Sequence, residues 1–451
     1  MSIPWEVKTV LQRLEAQGEE AYAVGGCVRD LLLGRTPCDW DAATSAAPER
    51  VMTIFGDRAC PTGLKHGTVT VREGDMTVEV TTFRLDGAYA DHRHPDAVRF
   101  TRSLEEDLRR RDFTVNAMAM DRHGTLIDPF GGQADLRRGL LRAVGTAEER
   151  FDEDALRILR GLRFSSVLGF SIEEETLRAM ERKRHLLAAL AGERLREEMT
   201  KLLCGQDVRR VLTACPHILG AFLPEILPSV GFDHRNPHHC YDVWEHTACS
   251  VASAPAEPLL RWVLLLHDLG KPSVCFYDEE AGKARFRGHQ AASVTLAEGV
   301  LTRLRFDTAS RERILHLVAQ HDCLLEPTEK GMRRLLRRFG ESDLRALLAI
   351  HRADNLAQHP DYWGRQLEYA ECERILEDIL RQEQCFSLRQ LAVDGNDLLA
   401  LGLRGKAVGE ALEALLTAVV EETLPNDRSA LLAAAKERKN QAETPPEDKG
   451  E

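Results

Sequence analysis

The sequence predicts an α/β head followed by an all-α remainder, divided into several domains. Three observations carry this. Short β-rich runs bounded by Gly or Asp, "AYAVGG", "GTVTVREG" and "MTVEVTTFRL", fall within residues 1–145. From about residue 146 apolar residues recur three and four apart, as in "DEDALRILRGLRFSSVLGF" and "ERLREEMTKLLCG". The chain has 451 residues, and ~100–200 residues per domain predicts two to four domains. The Pro/Gly break "PEILPSVGFDHRNPHH" sets a boundary near 225–237. The expected order is a head over 1–145, a helical neck over 146–225, a His-rich helical body over 226–360 and a helical tail over 361–440. The polar, Pro-containing end 441–451 is expected to be disordered.

Composition narrows the class. Hydrophobic residues make up 43% and charged residues 29%, as in soluble globular proteins. No apolar run reaches the ~18 residues that span a bilayer, and "MSIPWEVKTV" has no signal-peptide pattern. The 11 cysteines form no CxxC pair and read as reduced thiols of a cytoplasmic protein. A net charge of −12 argues weakly against nucleic acid, but the charge is segregated. Basic clusters stand at Arg109–Arg111, Arg137–Arg138 and Arg182–Arg184.

The head carries the first chemical constellation. In "GGCVRDLLLGRTPCDWD", Asp39 and Asp41 stand at i and i+2 of an expected strand, so both carboxylates project to one face. Like charges so placed repel unless a cation sits between them, and hard oxygen ligands at this spacing suit Mg²⁺ together with substrate phosphates. Gly25 and Gly26 let the backbone approach a bulky ligand at a helix start, a phosphate cradle, to which Arg29 adds a guanidinium fork. Read singly, Gly-Gly is a turn and Asp-x-Asp a solvated edge; their order within 17 residues favours a site. Glu79 alternates with Val78 and Val80, and is either a solvent-facing acid or a third carboxylate of that site. "RRRDFTVNAMAM" places Arg111 and its neighbours before an expected apolar helix, as a basic surface turn or a phosphate contact.

With "VEVTTFR…YADHRHPD", "EEDLRRRDFTVNAMA", "IDPFGGQADLRRGLLRAVG" and "FDEDALRILRGLRF", these segments resemble the bacterial tRNA nucleotidyltransferases. Those are the class II CCA-adding enzymes, kin of bacterial poly(A) polymerase. The resemblance is dense over the first ~210 residues and returns in "VDGNDLLALGLRGKAVGEALEALLTAVVEE". It implies a five-stranded nucleotidyltransferase head, a mixed sheet with helices, followed by all-α neck, body and tail. It implies Mg²⁺ on Asp39 and Asp41, nucleotide contacts from Gly26, Arg29 and Arg111, CTP and ATP as substrates, and tRNA, held by its 3′ end and acceptor/T arm, as partner. DNA and membrane are not expected partners.

"FDEDALRILRGLRF" spaces Asp154, Arg157, Arg160 and Arg163 by three, which on a helix makes Asp154 and Arg157 neighbours. The plain reading is a solvated salt-bridge stripe. A carboxylate only accepts and a guanidinium only donates, so an Asp-Arg pair fits the amine and ring acceptor of cytosine or adenine and rejects uracil and guanine. In the resembling family these positions select the base, and Arg160 and Arg163 lie along the nucleotide site.

The body carries a second constellation: "YDVWEHTACSV", "RWVLLLHDLGKPS", "RFRGHQAAS", "LVAQHDCLL" and "LLAIHRADNLAQ". A single His is more often a packed core residue, but this series of His and Asp suits transition metals. It resembles the HD superfamily of metal-dependent phosphohydrolases. That resemblance implies His246, His267, Asp268 and Asp354 as core ligands of a divalent metal and His289 and His321 as completing a second metal position. Lys271 would assist phosphate binding. The alternatives are an enzyme adding only A, a poly(A) polymerase, and an HD phosphodiesterase with an RNA-binding head. The acidic end of the chain counts against poly(A) polymerase. "LDGAYADHRHPDAV" keeps a loop that CC-adding relatives shorten, and the intact Asp39/Asp41 pair counts against a passive head.

Overall fold

The computed structural model describes residues 2–64, 67–86, 98–382 and 384–443; most of the "LDGAYADHRHPDAV" loop lies outside them. The head starts with α1 (Trp5–Glu15), β1 (Ala21–Val24), α2 (Gly26–Leu32), β2 (Trp40–Thr44), α3 (Pro48–Phe55), β3 (Ala59–Gly63), β4 (Thr68–Glu73) and β5 (Met76–Thr82). A short antiparallel pair follows, β6 (Arg84–Asp86) with β7 (Val98–Phe100), then α4 (Leu104–Arg109), β8 (Ala119–Met120), β9 (Leu126–Ile127), α5 (Gly132–Arg138) and β10 (Leu140–Leu141).

The sheet has seven strands in the order β3-β4-β5-β2-β1-β8-β9, with β2 and β5 parallel and the other neighbours antiparallel. The expected five strands are thus extended by β8 and β9, whose two residues each are too short to show a period. The expected apolar helix after Arg111 is instead a 3₁₀ turn, Thr114–Asn116, running into β8. Val69, Val71, Val78 and Val80 alternate into the core, against which α1 and α3 pack. Asp41 is register partner of Glu79, so both side chains stand on one face.

The neck continues with α6 (Ala147–Glu153), α7 (Leu156–Leu168), β11 (Ser171–Ile172), α8 (Glu174–Lys183), α9 (Gly192–Leu203), α10 (Val208–Ala214) and α11 (Pro216–Leu219). Apolar residues three and four apart bury Ile158, Leu159 and Leu162 of α7, and α7 packs along α9.

The body holds α12 (Val243–Ser253), α13 (Pro258–Leu266), α14 (Lys271–Val274), the hairpin β12 (Phe276–Asp278) with β13 (Lys283–Arg285), α15 (His289–Arg303), α16 (Thr308–Gln320) and α17 (Glu329–Leu356). The last kinks at Gly340, where φ is 72°. The tail follows with α18 (Arg365–Arg381), α19 (Gly395–Ala400), α20 (Lys406–Val420) and α21 (Arg428–Glu443). By compactness the chain divides into two units. One is Met1–Val230 with Gly299–Thr308; the other is Gly231–Glu298 with Ala309–Glu451. Head and neck sit in the first, and most of body and tail in the second.

Candidate functional sites

The first unit has a cavity of about 540 Å³ lined by the glycine turn, the Asp39–Asp41 segment and the arginines of α7. Gly25, at φ 77°, begins the cradle, and a Cβ there would lie 2.8 Å from Arg111 Nη1 and 4.0 Å from Asp41 Oδ2. Only glycine permits that φ and that approach. Asp39 lies in the bend just before β2, and both aspartates line the cavity. Burial pushes the Asp41 carboxyl up; Arg111 opposes this while Glu79 and Asp39 add to it. A carboxylate so crowded by like charge is suited to a bound divalent cation. Glu79 stands beside Asp41 in register but is solvent-exposed and does not line the cavity.

The cationic wall is held by acids that sequence reading did not select. Fully buried Asp107 accepts from Arg110 at 2.7 Å and Arg111 at 3.3 Å. Asp112 accepts from Arg160 Nε at 2.9 Å and from Asn116 Nδ2 at 3.0 Å, and Asn116 Oδ1 in turn accepts from Arg29 at 2.7 Å. Burial opposes ionisation of Asp112, but Arg160 and Asn116 outweigh it and hold the carboxyl far below the usual aspartate range. Glu198 of α9 accepts from Arg163. Arg29, Arg160 and Arg163 ring the face of Phe164 at 5.1, 5.4 and 4.2 Å from its centroid, within cation–π range. With Asp30, which accepts from Arg29 Nε at 2.9 Å, one aromatic ring and three carboxylates therefore preset three guanidinium forks toward the cavity.

Asp154 departs from its expected place. It is not on the helix with Arg157 but in the extended break between α6 and α7 (φ −138°, ψ 103°). There it caps Leu156 N at 3.1 Å and accepts from Arg194 Nη2 at 3.2 Å, not from Arg157. Arg157 is itself committed: it donates to Glu153 at 2.5 Å, Arg150 O at 3.1 Å and Arg110 O at 2.9 Å. Arg194 lines the cavity, and its buried Nη1 has no hydrogen-bond partner among the described residues. The expected helical neighbours Asp154 and Arg157 are thus not side by side on one helix, and the ion pair Asp154 does make is to a residue 40 positions away. The physical reason is that α6 ends at Glu153 and frees Asp154 from helical geometry.

Asp112→Ala is expected to destabilise the first unit by about 2–4 kcal/mol, since a half-buried Arg160 loses its anion. A depressed native carboxyl contributes stability fully above the unfolded aspartate value near pH 4 and loses it as pH falls toward the native one. The wild-type advantage in urea denaturation should therefore shrink below about pH 4; a pH-independent gap would place the effect in packing instead.

The second unit gathers two overlapping sets of ligand atoms, each within 4.8 Å: His246, His267, Asp268 and Asp354, and Asp268, His289 and His321. Asp268 belongs to both. Each histidine Nδ1 faces a main-chain carbonyl: His246 to Ala357 at 3.2 Å, His267 to Leu264 at 2.7 Å, His289 to Phe286 at 2.9 Å and His321 to Val318 at 2.7 Å. This places the proton on Nδ1 and leaves Nε2 lone pairs facing inward. His289 and His321 Nε2 stand 3.1 Å apart, and His246 Nε2 is 2.8 Å from Asp354 Oδ1. Neither oxygen of buried Asp268 has a hydrogen bond among the described residues, although Lys271 Nζ comes within 2.7 Å. Lone pairs facing lone pairs fit divalent cations. Burial disfavours a charged His267, but Asp268 and Asp354 outweigh it and push the imidazole up to about 10, so the cluster calls for positive charge in some form.

Comparison with known proteins matches three family models: "Poly A polymerase head domain" over 21–142, "Probable RNA and SrmB- binding site of polymerase A" over 169–226, and "tRNA nucleotidyltransferase domain 2 putative" over 291–435. The CCA-adding enzyme of Lactiplantibacillus plantarum is 37% identical over 431 residues, 95% of each chain. That of Geobacillus stearothermophilus is 46% identical over 271 residues, 59% of this chain and 63% of the relative. The crystal structure of the Bacillus stearothermophilus CCA-adding enzyme in complex with CTP superposes with a TM-score of 0.73 at 32% identity, covering 97% of this chain and 98% of that one. On the full-length relationship to the Lactiplantibacillus protein, the chain belongs to the family of CCA-adding enzymes.

Proposed function

We propose that the chain is a tRNA nucleotidyltransferase that adds C, C and A to the tRNA 3′ end from CTP and ATP. The observation that carries this reading is the single cavity in which a glycine cradle, two adjacent carboxylates and the ringed arginines converge. In each cycle the terminal 3′ oxygen bonds to the α-phosphorus, the α–β P–O bond breaks and pyrophosphate leaves. Asp39 and Asp41 would hold Mg²⁺, which when bound activates the 3′-hydroxyl and offsets phosphate charge. Gly25 and Gly26 let the triphosphate approach the main chain. Arg29, Arg111, Arg160 and Arg163 bind its oxygens, preset by Asp112, Asn116, Asp107, Glu198 and Phe164. Asp154 accepts from the exocyclic amine of C or A, while Arg157 holds the turn or turns its guanidinium to the ring acceptor. Glu79, register partner of Asp41 on the neighbouring strand, adds negative charge that a bound cation would offset. The cytoplasm is the compartment that fits cysteines in no CxxC pair and a tRNA substrate; among the described residues no helix is long and apolar enough to cross a membrane. The direct test supplies tRNAs lacking one, two or three terminal nucleotides with CTP, ATP or both and sizes the products. Growth by A alone on every acceptor would favour an A-adding enzyme, and long A tracts a poly(A) polymerase.

The His/Asp cluster supports a second activity, a metal-dependent phosphohydrolase. His267→Ala with Asp268→Ala is expected to remove bound transition metal, read by elemental analysis, while nucleotide addition stays within a few fold. Equal loss of addition in a folded double variant would tie the cluster to the transferase instead.

A further inference from the structure

In the second unit, α20 of the tail meets α17 through charge. The part of α17 before the Gly340 kink has two faces. Met332 and Leu336 are buried in a core shared with α18. Lys330, Arg333, Arg334 and Arg337, spaced three and four apart, line another face. The helices α19, α20 and α21 bury a separate core of their own, with Leu398, Leu415, Leu416, Val420 and Leu431. A different side of α20 turns Glu413, Thr417 and Glu421, four apart, to the cations of α17. Arg337 donates to Glu413 Oε2 at 2.6 Å and to Thr417 Oγ1 at 2.8 Å. Lys330 Nζ lies 2.9 Å from Glu421 Oε2, Arg334 pairs with the same carboxylate, and Arg333 pairs with Glu422. Arg334, Glu413 and Glu422 are each about half exposed, and ion pairs so exposed are weak singly and screened by salt. In a chain of net charge −12, four cations on one helical face are a local reversal of sign, and the anions that cover them are the chain's own.

We propose that this contact is an autoinhibitory latch: the carboxylates of α20 stand where backbone phosphates of tRNA bind α17, and the substrate's phosphates displace them. The proposal rests on tRNA as the substrate and adds a surface whose residues line neither the nucleotide cavity nor the metal-ligand chamber. Guanidinium and ammonium groups take phosphate as they take carboxylate, and a polyanion gains further by releasing counterions as it binds. The bundle can let go because its core is its own: Leu415, Leu416 and Val420 stay buried against α19 and α21 when the acidic side of α20 leaves α17. From Lys330 to Arg337 the face runs about 10 Å along the helix. Several phosphates along a strand are needed to replace all the carboxylates, and those of one nucleoside triphosphate meet only part of the face.

The test uses the whole protein. A carbodiimide joins Lys330 to Glu421 as an amide only while the two are in contact, and the Lys406–Glu410 pair within α20, 3.0 Å apart, supplies an internal reference. Peptide mass spectrometry reads the ratio of the two links at low salt, at high salt, with CTP and with saturating tRNA. The ratio is expected to fall roughly fivefold or more with tRNA or high salt and to hold with CTP. Anisotropy of labelled tRNA then compares three variants, their folding checked by melting temperature. Glu413→Gln/Glu421→Gln/Glu422→Gln opens the latch. Glu298→Gln/Glu312→Gln/Glu437→Gln removes the same charge from exposed positions elsewhere. Lys330→Gln/Arg334→Gln/Arg337→Gln opens the latch and removes the phosphate surface. The first is expected to bind roughly threefold or more tightly than the second, and the third roughly tenfold more weakly than wild type, its salt slope shallower by about two to three. A link ratio that tRNA leaves unchanged or that CTP lowers equally, or a first variant no tighter than the second, overturns the latch. A third variant that binds like wild type overturns the phosphate surface. If the wild type binds no tRNA, the transferase reading itself fails, and loss of the link with heparin decides whether a polyanion displaces the carboxylates.

Discussion

Asp41→Ala is expected to lower nucleotide addition by roughly 10³-fold or more, and Asp39→Ala to do the same, while the head stays folded. The fold should survive because Asp41 makes no side-chain ion pair in the structure's described contacts, and burial with two neighbouring carboxylates already pushes it up. Removing it relieves repulsion. The activity should not survive, because one aspartate of the pair cannot hold the metal alone and no further lining carboxylate is free to replace its partner: Asp112 is spent on Arg160 and Asn116, Asp154 on Arg194, and Glu79 on the adjacent strand is outside the lining. Single-turnover addition of AMP to tRNA lacking its terminal A, beside a thermal melt, measures both. A folded variant working near the wild-type rate would move the catalytic centre away from the β2 edge.

Asp154→Ala is expected to lose base selectivity along with rate. Asp154 is an acceptor facing the cavity, and its one ionic partner, Arg194, is partly exposed. Mispaired hydrogen bonds at a buried base edge amount to about 2–4 kcal/mol, so discrimination of CTP over UTP and of ATP over GTP should fall by roughly tenfold or more. If Asp154 merely anchors Arg194, the loss is about 1 kcal/mol of stability or less and the ratios stay put. Incorporation of each of the four nucleotides by wild type and variant separates these outcomes. An unchanged CTP-to-UTP ratio in an active variant would remove Asp154 from base recognition.

The two expectations differ in how much of them the sequence alone could supply. The two-residue spacing brought Asp39 and Asp41 to one cavity, although Asp39 falls in the bend before β2, and the helical period placed Arg160 and Arg163 on one side of α7, because such relations are set by near neighbours along the chain. The ordered His and Asp signals likewise marked the cluster that His246, His267, Asp268 and Asp354 form. Tertiary structure decided what each side chain spends its bonds on. Asp154 turned to Arg194, Arg157 to the Arg110 carbonyl 47 residues earlier, and Asp112, read only as the end of a basic run, became the hub for Arg29 and Arg160. β8 and β9 were too short to carry a period, and only pairing with β1 and each other makes them strands. The physical reason is common to all of these: local sequence sets which way a side chain points within its element, but a hydrogen-bond partner dozens of residues away is chosen by which element packs opposite, and that is settled only when the cores of the head and neck close.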